Sequence, residues 1–221
     1  MTAKVVLFDF DGTIADTYQA IANITNNLSS EFGYKPFDSE ELLLLKNLSS
    51  REIVKQTEIS IFKIPFLVKR VRKELSKEIA YLKPIAGIEE VLLDLKARGY
   101  ILGIVTSNIK SSVELFLAKN ELENIFSYIY SSPSIFGKHR VIDRAIRQHR
   151  HDRDRVIYIG DETRDIRSAR KSQIGIIAVS WGFNSDAILA EHKPDFLVYT
   201  PEELTRAIVE YHSCLIQTFV N

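Results

Sequence analysis

"VVLFDFDGTIADT", Val5 to Thr17, starts with four strand-forming apolar residues, Val5 to Phe8. It then runs straight into two aspartates two positions apart, Asp9 and Asp11, followed by Gly12 and Thr13. A segment apolar at every position predicts a strand covered on both faces, the condition of a central strand in a parallel sheet. Like charges do not belong inside such a sheet. At the carboxyl end of a strand in an open α/β sheet they border the ligand crevice, where counter-ions can reach them. An isolated Asp-x-Asp has two readings: a turn with a helix cap, or a carboxylate pair whose repulsion is relieved by a hard divalent cation, Mg²⁺. Gly12 permits a tight backbone path around a ligand, and Thr13 carries a hydroxyl that can donate to an anion.

Working outward, similar apolar runs recur as "YILGIVTS", "FSYIYSS", "RVIYIGD", "IGIIAVSW" and "DFLVYT", separated by amphipathic stretches such as "GIEEVLLDLKARG". The alternation predicts an α/β fold, a doubly wound and mainly parallel sheet. One interval breaks the rhythm: about ninety residues separate the first strand from the second, where a parallel crossover needs only about a dozen. Within it Ile21, Ile24, Leu28 and Phe32 repeat at helical spacing, as do Leu67, Val71, Leu75, Ile79 and Leu82, with "EELLLLKNL" and "REIVKQTE" between them. An inserted α-helical domain over 16–83 is expected, closed by the Pro- and Gly-bearing "KPIAG", Lys83 to Gly87. The core would comprise 1–15 and 84–221.

The 221 residues are 45% hydrophobic, enough to bury a sizeable core. Lys+Arg and Asp+Glu both number 29, so no global charge favours nucleic acid or an anionic membrane. The charge-dense "RQHRHDRDR", Arg147 to Arg155, reads as a solvated face. A single cysteine, Cys214, excludes an internal disulfide framework and fits a reducing, cytoplasmic setting, and it reads as core. The N-terminus shows no charged-then-apolar leader, and no apolar run approaches about 20 residues, so neither secretion nor a membrane span is expected.

Three more strand or helix junctions carry polar groups. "GIVTSN" ends in Thr106, Ser107 and Asn108, a cluster of short donors; "FGKHR" places Lys138 before a helix, where an ammonium can hold a phosphate oxygen. "VIYIGDETRDIRSA" ends a strand in Gly160 and Asp161 and adds Asp165 four positions on, more oxygen of the type that binds hard cations. Trp181 and Phe183 in "SWGFNS" either wall this site or pack beside a glycine turn.

Over nearly the whole chain this order of motifs resembles the haloacid dehalogenase-like (HAD) superfamily. "DFDGT" looks like its first motif, Thr106 its second, Lys138 its third and "GDETRD" its fourth. The helical insertion is similar to the C1-type cap of the phosphoglycolate phosphatase-like branch. One departure is His139 after Lys138, where many relatives have proline.

The resemblance implies a Rossmannoid core and a Mg²⁺-dependent phosphatase acting on a small phosphorylated metabolite, with phosphoglycolate the first guess. Asp9 is then the nucleophile that forms an aspartyl-phosphate, and Asp11 the group that protonates the leaving oxygen and later deprotonates water. Thr106 and Lys138 bind the phosphoryl oxygens. Asp9, Asp161 and the carbonyl of Asp11 hold the metal, and Asp165 orients the lysine or a metal-bound water. Thr13, Ser107 and Asn108 are substrate-binding candidates, as is Arg51 in "NLSSRE" with Ser49 and Ser50, at an apparent helix start in the cap. Four alternatives stand beside this reading. A dehalogenase would need neither Asp11 nor the fourth-motif acids; a sugar phosphomutase would keep its phosphoenzyme from water. A phosphonatase would recruit Lys46 or Lys55 as a Schiff base, and a non-catalytic binding module would leave the charged groups without a use.

Overall fold

Each of the six apolar runs forms a strand: β1 (Val5–Phe8), β2 (Ile101–Thr106), β3 (Tyr128–Ser131), β4 (Val156–Gly160), β5 (Gly175–Val179) and β6 (Phe196–Val198). The structure, a computed structural model, describes residues 3–56, 59–132 and 137–218, without the side chains of Ser50, Arg51, Ile61 and 214–218. Cys214, expected in the core, therefore has a side chain outside the described residues. The strands form one sheet in the order β3-β2-β1-β4-β5-β6, and every neighbouring pair is parallel. β1 is central: Val5 pairs with Ile101 on one side and with Val156 on the other.

Successive β1 side chains enter opposite layers, as the two-residue period of a strand requires. Val6 and Phe8 pack in one apolar cluster with Leu92 of α6 (Ile88–Ala97), Phe116 of α7 (Lys110–Lys119) and Ile208 of α11 (Pro201–Thr218). Val5 and Leu7 pack on the other face with Ile142 of α8 (Lys138–His149), Ile166 of α9 (Thr163–Lys171) and Leu189 of α10 (Asp186–Glu191). All four β1 residues are fully buried, each contributing about 1.5–3 kcal/mol of apolar burial. The fold class is the doubly wound α/β architecture that the continuous runs predict.

The insertion holds α1 (Tyr18–Asn27), α2 (Ser29–Phe32), α3 (Ser39–Leu45), α4 (Ser50–Gln56) and α5 (Ile64–Glu78). The chain leaves and returns at one place: Asp16 N donates to Lys83 O at 3.0 Å and Ile85 N to Ile14 O at 2.8 Å. α1 packs on α5, and Ile24, Leu28, Leu75 and Ile79 join the same apolar cluster as Phe10 and Ile14. The stripe from Leu67 to Leu82 is not one helix. α5 stops at Glu78, a 3₁₀ turn covers Ile79–Tyr81, and Leu82 is extended at ψ 153°. Pro84 bars Lys83, the residue before it, from the helical region, so the helix could not have run on much further. A capping box starts α3, with Glu41 N donating to Asp38 Oδ1 and Asp38 N to Glu41 Oε2, both at 2.9 Å. Among the described residues no helix is long and apolar enough to cross a membrane.

Candidate active site at the carboxyl ends of the strands

Parallel register brings the polar junctions together. Asp9 follows β1 and its N–H donates to Ile159 O of β4 at 2.8 Å, which sets it beside the Gly160-Asp161 strand end. Thr106 ends β2 on the other side of β1. Lys138 opens α8, and Asp165 lies in the first turn of α9. All five side chains are buried. The Lys138 ammonium joins two of the acids, lying 2.5 Å from Asp9 Oδ2 and 2.6 Å from Asp165 Oδ1.

The remaining carboxylate oxygens are also held. Asp9 Oδ1 accepts from Phe10 N at 2.8 Å, and Asp165 Oδ2 from Glu162 N at 3.1 Å. Asp161 accepts from the Thr13 hydroxyl on Oδ1 and from Phe183 N on Oδ2, both at 2.7 Å. Gly12, at φ +73°, makes room for this: a methyl there would lie 2.5 Å from Asp161 Oδ2 and 2.6 Å from the Phe183 ring. Only glycine combines that conformation with that approach.

One ligand oxygen each from Asp9, Asp161 and Asp165 lies within 4.8 Å of the others. Each carboxylate oxygen has two lone pairs, so one donor per oxygen leaves capacity for a cation. Burial, and then the charges of Glu162, Asp9 and Asp165, push Asp161 well above the usual carboxylate range. Asp165 is also raised, by burial first, against the pull of Lys138. Burial works against the Lys138 charge too, but Asp165 and Asp9 outweigh it and hold the ammonium above its ordinary range. Fully ionised, the three acids would carry more negative charge than Lys138 offsets, which is the deficit a cation fills, and an all-oxygen donor set of this kind fits Mg²⁺. Saturating Mg²⁺ is expected to raise the melting temperature by roughly 5–10 °C at about a hundredfold excess over Kd, and Asp161→Asn to shrink that shift. Superimposable melting curves with and without Mg²⁺ would remove the cation from this cluster.

Asp11 faces elsewhere. Asn108 Nδ2 donates to its two oxygens at 2.9 and 3.1 Å, and Asn108 is itself fixed by its N–H to Thr106 Oγ1 at 2.9 Å. Burial, then the Asp9 charge, push Asp11 up to about 7, against the Asn108 hydrogen bond. Together with Ser107, Asn108, Glu162 and Arg164 it forms the core side of a chamber of about 300 Å³ roofed by the insertion. Arg164 Nε donates to Glu162 Oε1 at 2.8 Å, and Arg72 of α5 lines the same chamber. Burial and then Arg164 lower the Arg72 pKa, and Asp11 opposes them.

Several expected contacts differ. Thr13, read as a donor to an anion, is fully buried and gives its one hydroxyl proton to Asp161. Asn108, read as a substrate donor, holds Asp11 instead. Asp165, read as orienting the lysine or a metal-bound water, is the third carboxylate beside Asp9 and Asp161. Ser49 serves the start of α4, its N–H and hydroxyl reaching Glu52 Oε2 at 2.8 and 2.6 Å. The side chains of Ser50 and Arg51 lie outside the described residues.

Comparison with known proteins decides the family. The profile described as haloacid dehalogenase-like hydrolase matches residues 6–179. The chain belongs to that family. The haloacid dehalogenase-like hydrolase is 33% identical over 207 residues to a phosphoglycolate phosphatase of Synechococcus elongatus, covering 94% of this chain and 98% of that one. It is 25% identical to the pyrophosphatase PpaX of Bacillus thuringiensis, covering 90% and 93% of the two chains. Among solved structures, a haloacid dehalogenase-like family hydrolase from Streptococcus pneumoniae superposes with a TM-score of 0.78 at 26% identity, over 93% of this chain and 98% of that one.

Three residues of the hydrolase's site, Arg164, Arg72 and Asn184, escaped sequence reasoning. Arg164 sits inside "GDETRD" without an assigned task. Arg72 had a signal: it interrupts the apolar series Ile64, Val68, Leu75 on α5. Asn184 had none, and Lys46, named only as a Schiff-base candidate, is placed differently. The Lys46 ammonium donates to Gly182 O at 3.0 Å and lies 4.2 Å from the Tyr18 ring centroid. Asn184 Nδ2 reaches Lys46 O at 3.2 Å and Leu48 O at 3.0 Å while its Oδ1 accepts from Thr163 N at 2.9 Å. Of the two aromatics left open, Phe183 lines the chamber, and Trp181 fastens the first loop through Thr13 O at 3.2 Å.

Proposed function

We propose that the hydrolase cleaves a small phosphate monoester through an aspartyl-phosphate, in a Mg²⁺-dependent reaction. The observation that carries this is the contrast between two carboxylates at one strand end. Asp9 is buried in an ion pair with Lys138, whereas Asp11 faces the chamber with its proton affinity raised to about 7. Acids whose surroundings differ in this way divide the work of nucleophile and acid–base group.

In this reading an Asp9 oxygen bonds to phosphorus as the bond to the leaving oxygen breaks, and that oxygen takes the proton of Asp11. Asp11 then takes a proton from water, which attacks phosphorus, frees Asp9 and yields inorganic phosphate. Thr106, whose Oγ1 accepts from Asn108 N and so keeps its proton to donate, and Lys138 bind the phosphoryl oxygens, with Ser107 at their edge. Asp165 positions Lys138. Mg²⁺, held by Asp9, Asp161 and the carbonyl of Asp11, would offset negative charge between nucleophile and phosphoryl group. The substrate is a phosphorylated metabolite, and the lone cysteine suits the cytoplasm. Phosphoglycolate, named for the Synechococcus relative, is the reference compound, its carboxylate suited to Arg72 and Arg164.

Quenching turnover in acid and mapping the adduct tests the proposal: the mass of one phosphoryl group should appear on the peptide bearing Asp9. Turnover without an adduct, or an adduct elsewhere, would overturn it. Replacing Mg²⁺ by Ca²⁺ should lower activity about tenfold or more, because Ca²⁺ takes more oxygen ligands in looser geometry and invites Asp9 to coordinate through both oxygens. Full activity after exhaustive chelation would remove the metal from the reading. The Schiff-base alternative gains nothing here, since Lys46 is engaged with Gly182 and Tyr18, and among the described residues no lysine lines the chamber.

A further inference from the structure

The chamber beside Asp11 carries its charged groups on the core side and on Arg72 of α5. The charged groups there answer one another: Asn108 holds Asp11, Glu162 holds Arg164, and Arg72 lies in the fields of Asp11 and Arg164. Away from these groups the wall is mostly hydrocarbon, formed by Ile21 of α1, Ile53 and Val54 of α4, and Leu67, Val68 and Val71 of α5; of its polar members Thr25 and Tyr34, the Tyr34 hydroxyl is already given to Thr25 O. These six side chains are only partly buried although they face the interior of the insertion, so the surface they keep exposed borders the chamber. A two-carbon leaving group would leave most of about 300 Å³ to water against that hydrocarbon, space for roughly ten molecules. The volume falls at the lower end of the range of sites that enclose small organic ligands, about 300–1,000 Å³.

We propose that the hydrolase's preferred substrates are phosphate monoesters whose leaving group carries an apolar chain or ring, seated in this chamber. The inference rests on the phosphomonoesterase reading and deepens it. Asp11 lines both the site and the chamber, so an oxygen protonated by Asp11 belongs to a group that already occupies the chamber. The product alcohol is therefore released into the chamber, and phosphate stays with Lys138 and Thr106. Water displaced from the hydrocarbon wall supplies the selectivity, about fourfold per buried methylene.

Two series test this independently. In the first, methyl-, butyl-, hexyl- and octylphosphonate, which cannot be hydrolysed, are titrated into the wild-type protein with Mg²⁺ by calorimetry. Affinity should climb about fourfold per methylene until the chamber is full, with an increasingly negative heat-capacity change. Affinity independent of chain length overturns the proposal, whether or not the protein is a phosphatase. In the second, kcat/KM is measured for the matching alkyl phosphates and for phosphoglycolate. A rise with chain length to values above that for phosphoglycolate supports the proposal, and a preference for phosphoglycolate over octyl phosphate overturns it. If no monoester is turned over, the phosphatase reading fails and the phosphonate series still decides the chamber's ligand. Val71→Phe and, separately, Ile53→Phe should shift the optimum to shorter chains, and an unchanged optimum in folded variants counts against the chamber. The wild-type series stands if either variant fails to fold.

Discussion

Asp9→Asn should fold like the parent and hydrolyse phosphate monoesters at least about 10⁴-fold more slowly. The amide keeps the size and one acceptor oxygen, which can still serve Phe10 N, while Lys138 Nζ keeps its contact with Asp165 Oδ1. It also removes one of three buried carboxylates, which relieves the repulsion that raises Asp161 and Asp165. Stability should therefore change little while the nucleophile is lost. Circular dichroism and melting curves establish the first half, and steady-state rates with phosphoenzyme trapping the second. A variant retaining a hundredth of the parental rate would mean that a different group attacks phosphorus.

Asp11→Asn should produce two different defects, depending on the leaving group. An alkoxide is a poor leaving group without a proton, so alkyl phosphates should lose about 10²–10⁴-fold in the first step. Nitrophenolate departs unaided, so p-nitrophenyl phosphate should still phosphorylate Asp9. Hydrolysis of the phosphoenzyme then lacks its base. The result is a burst of one nitrophenolate per protein molecule followed by slow turnover, with phosphoenzyme accumulating. Asn108, which now holds Asp11 through Nδ2, has only to pair with an amide oxygen in place of a carboxylate one, so the loop should survive. A variant that slows both substrates equally and shows no burst would move Asp11 out of the proton-transfer role.

What was legible in the sequence follows from how far apart the deciding contacts lie. The six strands could be read because a strand buried on both faces is written in consecutive residues, as Val5 to Phe8 and Val156 to Ile159 are. Parallel order then placed Asp9, Thr106 and Asp161 at one edge without further information. The partner of a hydroxyl or an amide is not written locally. Thr13 meets Asp161 across 148 positions, and Asn108 meets Asp11 across 97. Residue type alone left both free to bind an anion, and nearby acids claimed their protons. The chamber was hidden for a related reason. Periodicity shows which faces of α1 and α5 are apolar, but not that α4 would complete a hollow between them, nor that Arg72 would line it.

Asn184 ties two events that are usually counted separately. Its backbone N–H meets Asp161 O at 3.3 Å, and its side chain grips the main chain of the insertion at Lys46 and Leu48. The segment that seats a cation-binding acid is thus the segment on which the insertion rests. Linkage makes the coupling reciprocal: whatever factor a seated leaving group adds to the hold on the cation, the cation must add to the hold on the leaving group. On the proposed mechanism, a positive coupling would make product departure loosen the ion as well as the alcohol. Free Mg²⁺ would then act not only on how fast the protein reacts but also on how long it keeps what it has made.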